Sequence, residues 1–260
     1  MGKRGRLFEN KKGQTTIFII IAIVIVAAAA LIYFYYPQIS SVLGLTSENP
    51  SSFIKTCMEE EIEKSVATLS LQGGSINPEN YITYGNENIE YLCYTNEYYL
   101  PCVIQQPMLK QHIEKEIKED LKDEVNTCLL DLKESFEKKG YEVNLGSGKV
   151  VVELLPQRII TTLDYPVTLT KSSTESYDSF SVVLDNNLYE LISISNSILN
   201  WELNYGDAET TSYMNYYHDL KVEKKKQTEG TTIYILTDRN KGDKFQFASR
   251  SIVWPPGYNG

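Results

Sequence analysis

Histidine is nearly missing from this 260-residue chain, which holds only His112 and His218. A histidine-based triad would have to recruit one of them. His218 adjoins Asp219, which cannot easily orient its own neighbour, and reads as a surface residue; His112 reads as a partly covered structural one. The chain also lacks a Gly-x-Ser-x-Gly elbow, a His-Glu-x-x-His pair, a phosphate-cradling glycine loop and a calcium loop. No carboxylate spacing singles out an acid/base pair, so the sequence assigns no catalytic residue, cofactor or metal, and no enzyme is expected. Asn-x-Ser/Thr acceptors are absent, which removes N-glycosylation by that code. Positive charge is scarce as well. The net charge is −9, and the first sixteen residues alone carry +4, leaving −13 for residues 17–260. Such a surface repels phosphates, which argues against nucleic acid as a partner. There is no internal repeat, heptad array or low-complexity segment, which speaks against repeat architectures.

What is present begins with charge of the other sign. Lys3, Arg4, Arg6, Lys11 and Lys12 stand against Glu9 alone, and residues 17–36 then run without a charge. At ~1.5 Å rise per residue, such a run crosses a ~30 Å hydrocarbon core as one helix. Tyr33, Phe34, Tyr35 and Tyr36 close it where an interfacial aromatic belt belongs. Flanking positive charge holds the N-terminus in the cytoplasm, so the expected arrangement is a single-pass membrane protein with its C-terminal part outside the cell. The run is too long for an ordinary cleaved secretory signal and has no Ala-x-Ala-like site after it, which fits an uncleaved signal anchor.

The order Lys11-Lys12-Gly13-Gln14-Thr15-Thr16 followed by the apolar helix resembles the class III signal of archaeal type IV pilins and archaellins. The resemblance covers residues 11–36. It implies a prepilin-type peptidase as a partner, with cleavage between Gly13 and Gln14. Phe18 departs from the pattern, since many pilins carry at that position a Glu that sets subunit register in the filament.

Gln38 to Ser52 is rich in serine and reads as a stalk. Ser51 or Ser52 is then expected to cap a helix with Phe53, Ile54, Cys57, Met58, Ile62, Val66 and Leu69 on one face, stopped by Gln72-Gly73-Gly74. Glu59, Glu60, Glu61 and Glu63 read as its solvated face. Residues 75–105 read as irregular and tyrosine-rich. A second, continuous helix is expected from Pro107 to Gly140, with a stripe running from Leu109 through Ile113, Ile117, Leu121 and Val125 to Phe136. The two stripes match, so the helices are expected to pack together. Beyond Gly140 the pattern turns to strands: 142–144, 149–155, 158–170 and 180–184, with Gly146-Ser147-Gly148 as a tight turn. Asp185 is expected to cap a helix ending near Tyr205-Gly206, with a short helix around 208–217 and a hairpin of 231–237 with 245–254. Lys224-Lys225-Lys226 reads as an exposed edge or turn.

Four cysteines allow three pairings. Cys57 and Cys128 fall on the apolar faces of the two helices, and Cys93 and Cys102 lie close together in the segment between them, which favours nested bridges Cys57–Cys128 and Cys93–Cys102. No Cys-x2-Cys knuckle supports zinc instead. The expected fold class is therefore α+β: an N-terminal transmembrane helix, a disulfide-stapled helical hairpin, then an antiparallel β-rich body with one or two helices. The boundaries are a cytoplasmic leader 1–16, the membrane helix 17–36, a stalk 37–52, a helical module 53–140 and an extracellular α+β module 141–260. The expected role is a structural or adhesion component anchored in the lipid bilayer through residues 17–36, meeting a surface partner or its own copies. The alternatives are a subunit of a type IV pilus-like filament or an anchored cell-envelope hydrolase.

Overall fold

In a computed structural model of the chain, residues 49–253 are described. The leader, the apolar run 17–36 and the Gly13-Gln14 pair lie outside them, as does most of the stalk. Among the described residues no helix is long and apolar enough to cross a membrane.

The first helix, α1 (Pro50–Leu71), carries Ile54, Met58, Ile62, Val66 and Leu69 at steps of three and four. Each is at most 3 % exposed, so a single stripe of this helix is wholly withdrawn from water. Pro50 opens the helix, where its missing N–H costs no hydrogen bond. Ser51 and Ser52 therefore fall inside the first turn instead of capping it. As expected, the helix stops before Gly73-Gly74.

The segment expected to be irregular is instead a hairpin plus a short third strand: β1 (Tyr81–Tyr84), β2 (Glu87–Tyr94) and β3 (Val103–Ile104). Gly85 and Asn86 both have positive φ, the requirement for a two-residue hairpin loop. The helix expected over 107–140 is two helices, α2 (Leu109–Asp120) and α3 (Lys122–Lys138), with a break at Leu121. Leu121 has ψ near zero and is itself buried. The stripe stays continuous across the break, with Ile117, Leu121, Val125, Leu129, Leu132 and Phe136 all in the core.

Six further strands and two helices follow in order: β4 (Glu142–Leu145), β5 (Lys149–Leu155), β6 (Arg158–Asp164), β7 (Val167–Thr170), β8 (Thr174–Tyr177), β9 (Phe180–Asp185), α4 (Leu188–Tyr205) and α5 (Thr211–Tyr216). Three last strands, β10 (Leu220–Lys226), β11 (Thr231–Asp238) and β12 (Lys244–Arg250), complete the described fold. The single strand expected over 158–170 is divided by Tyr165-Pro166, because Pro166 has no N–H to give a ladder. Its halves enter different sheets: β6 lies between β5 and β9, and β7 between β4 and β8. Gly146-Ser147-Gly148 accordingly closes no hairpin. It carries the chain from one three-stranded sheet to the other, with the Gly146 amide donating to the Pro166 carbonyl at 2.7 Å. Asp185 does not cap α4. Asn186 accepts from the Leu188 amide at 2.8 Å, and Asp185 pairs with Lys241 at 2.5 Å.

The largest sheet runs β1-β2-β12-β11-β10, with β3 paired to β2. All its pairings are antiparallel except β2 with β12, which is parallel. Because β2 sits inside this sheet, no seam falls at residue 140: the described residues from 50 to 253 form one compact unit, with one principal core from Ile54 to Phe247. Helix α1 touches α2, α3, β2, β9 and β12, and α4 lies against β11 and β12. The edge strand β10 carries Lys221, Lys224, Lys225 and Lys226, a charged edge that resists pairing with another chain.

Both bridges are the nested pair. Cys57 on α1 joins Cys128 on α3 with Cα atoms 6.1 Å apart, and Cys93 on β2 joins Cys102 with Cα atoms 5.3 Å apart. Their loop lengths differ greatly, with sequence separations of 71 and 9. Loop-closure entropy then assigns about 4 kcal/mol to the long bridge and about 2.5 kcal/mol to the short one. The Cys57→Ser/Cys128→Ser double variant should therefore lose more unfolding free energy in urea than the Cys93→Ser/Cys102→Ser variant; the reverse order would contradict α1–α3 as the main staple.

Candidate functional site

Where α1 ends, the chain must pass between β2 and α2 with almost no room. A side chain at Gly73 would meet the Glu90 Cβ at 2.8 Å, and one at Gly74 would meet Ile113 at 3.0 Å. Both glycines have positive φ, so the backbone can turn sharply off the helix there. The turn is pinned by the Gly74 amide on the Leu69 carbonyl at 2.8 Å and by the Glu90 amide on the Gln72 carbonyl at 3.0 Å. It delivers Ser75 to a point between β2 and α2.

Ser75 is buried there between two titratable groups. Its hydroxyl donates to Glu90 Oε2 at 2.6 Å and lies 2.8 Å from His112 Nε2. One residue on, the Ile76 amide donates to Glu116 Oε2 at 3.0 Å. Gln106 reaches Glu90 Oε1 at 3.4 Å. These groups form the floor of an open cleft of about 380 Å³, whose rim is Asn77, Glu79, Asn80 and Gln105. Burial pushes the Glu90 carboxyl above the usual glutamate range, against hydrogen bonds from Ser75 and Gln106 that pull it back.

A hydroxyl has one proton. With that proton directed at an ionised Glu90, Ser75 accepts from His112, and the imidazole then carries its hydrogen on Nε2. An activated serine needs the opposite, an imidazole nitrogen that accepts from the hydroxyl. In that arrangement the trio is a hydrogen-bonding floor without the polarity of a nucleophile–base pair. His112, expected to be structural, does serve to hold Ser75, but it also lines this cleft.

The sequence-assigned residues lie elsewhere. All four cysteines are bridged, and no free cysteine occurs among the described residues. Nor does any group of three His, Cys, Asp or Glu side chains there form a metal cluster. Gly13 and Gln14 fall outside the described residues. His218 is exposed. Sequence reasoning missed Ser75, Glu90 and Glu116. The only local signal for the cleft is Gly73-Gly74-Ser75, which reads as a helix stop; the partners come from 15 and 40 residues away. No protein-family model matches this chain, and no curated protein or solved structure matches it.

A second carboxylate, Glu202 on α4, is almost wholly withdrawn from water. It accepts from the Tyr234 hydroxyl and from Ser249 Oγ at 3.0 Å, while its backbone carbonyl takes Ser251 Oγ at 2.9 Å. Ser251 in turn accepts from the Cys102 amide at 3.1 Å. The network ties α4 to β11, β12 and the short disulfide. Burial raises the Glu202 carboxyl above its ordinary value of 4.5, opposed by the Tyr234 and Ser249 hydrogen bonds. A raised acid binds its proton more tightly in the folded state. Its contribution to stability is thus full below the unfolded value and is lost as pH rises through the folded one. The stability of wild type relative to Glu202→Gln should fall in urea titrations as pH rises above the ordinary glutamate value of 4.5; a difference that stays flat would contradict a buried, proton-retaining Glu202.

Proposed function

We propose that this chain is a surface protein held in the membrane by residues 17–36, with the unit from Pro50 onward displayed outside the cell as a structural or adhesion component. The observation that carries the reading is the state of the cysteines. All four are consumed in two intramolecular bridges within one core, and such bridges form and persist in oxidising compartments outside the cytosol. The sequence supplies the topology: a basic leader, then an uncharged run long enough to span, directly before the disulfide-bearing unit. The likeness of residues 11–36 to a class III signal supplies the export route. The cleft, with its fixed floor and open polar rim, gives the displayed unit a place to bind a partner.

The test is the N-terminal residue of the protein taken from its native membrane, read by peptide mass spectrometry. A chain starting at Gln14 in the membrane fraction is the expected result. A chain recovered from the soluble cytosolic fraction with residues 3–12 intact would overturn the proposal.

A further inference from the structure

The rim of the cleft is built to stay open. Its segment Ser75–Asn80 is pinned at one end by Glu116 on the Ile76 amide and at the other by the Tyr91 amide on the Asn80 carbonyl at 2.9 Å. Pro78 stiffens the middle. Between these pins, the side chains of Asn77, Glu79 and Asn80 are exposed and make no hydrogen bond among the described residues. A rim fixed in backbone but free in side chain loses little entropy when it engages a ligand.

The chemistry of the lining narrows the ligand. Three carboxylates, Glu79, Glu90 and Glu116, face the cleft with no lysine or arginine among the lining residues, so an anion is repelled. The amides of Asn77, Asn80 and Gln106 add N–H donors to those acceptors. An ammonium ion would satisfy the carboxylates and leave the donors facing a cation. An apolar ligand would strip water from all of them without return. A ligand hydroxyl both donates and accepts, and vicinal hydroxyls match paired amide and carboxylate groups. The volume of about 380 Å³ lies at the small end of ordinary ligand sites. It suits a mono- or disaccharide.

We infer that the cleft bounded by the Ser75–Asn80 rim, β2 and α2 binds a neutral saccharide unit. The inference rests on the surface-display reading for its biological setting, since glycans of an envelope or a neighbouring cell are what such a head meets. Its chemistry stands on the cleft alone.

The experiment uses the full chain in a polyoxyethylene detergent, which carries no sugar headgroup. Saturation-transfer NMR is run against glucose, galactose, mannose, N-acetylglucosamine and their common disaccharides, with putrescine as the amine probe. Binding of at least one saccharide is expected, weakened by about threefold to tenfold in Asn80→Ala and in Glu79→Gln, the range set by one lost hydrogen bond. Both positions are exposed, so the thermal midpoint should not move. Trp201→Ala, an exposed aromatic on α4 that does not line the cleft, should bind as wild type does. The inference is overturned if no saccharide saturates, if putrescine binds in their place, or if binding is lost in Trp201→Ala and retained in Asn80→Ala. Failure of the two readings is separable. A chain processed at Gln14 that binds no sugar overturns the cleft assignment only, and a sugar-binding chain found intact in the cytosol overturns surface display only.

Discussion

Everything in the described fold depends on burying one stripe of α1. Ile54, Met58, Ile62, Val66 and Leu69 together have almost no contact with water, and they meet helices on one side and strands of two sheets on the other. At roughly 1.5–3 kcal/mol for each large apolar side chain fully buried, that stripe is a major part of what opposes chain entropy. The Cys57–Cys128 bridge fixes the same helix covalently to α3. The bridge and the stripe both hold α1, so the longer of the two disulfide loops is closed on the helix that carries the buried stripe.

The end of that helix creates the cleft. Because α1 lies so close to β2 and α2, the chain can leave it only through two glycines, and the first side chain after them lands between Glu90 and His112. The polar floor is thus a by-product of tight packing, tied into the fold through Ser75, Glu90 and Glu116, while the rim above it keeps spare capacity. Glu202 shows the contrasting solution. There a carboxylate is sealed among Tyr234, Ser249 and the neighbourhood of Cys102, and every polar atom around it serves to join elements. The same residue type faces a cleft in one place and fastens a sheet in the other, and access to solvent makes the difference.

Helical periodicity was readable from the residues because it is local. The stripes on α1 and on the Leu109–Phe136 segment, the α4 pattern and the C-terminal hairpin all follow from spacing within a single element, and the nested cysteine pairing follows from the stripes. Three features were hidden for different reasons. The β1–β2 hairpin has the Gly85-Asn86 signal, but its tyrosines and asparagines mask the alternation. The break at Leu121 leaves the stripe intact, so no pattern announces it. The division at Pro166 sends adjacent strands into separate sheets, a choice made by tertiary packing. The cleft was the least legible. Ser75, Glu90, His112 and Glu116 come from a turn, a strand and a helix that nothing local connects, and the parallel placement of β2 beside β12 depends on contacts more than 150 residues apart.

Display of this unit in an oxidising environment is the claim on which the functional account stands, and the cysteines report on it directly. Protein released from the surface of intact cells by a membrane-impermeant protease should be alkylated without reduction, digested and mapped by mass spectrometry. The account requires linked peptides joining Cys57 to Cys128 and Cys93 to Cys102, with no alkylated cysteine. Four alkylated thiols in folded protein, or linkages of another pairing, would contradict it.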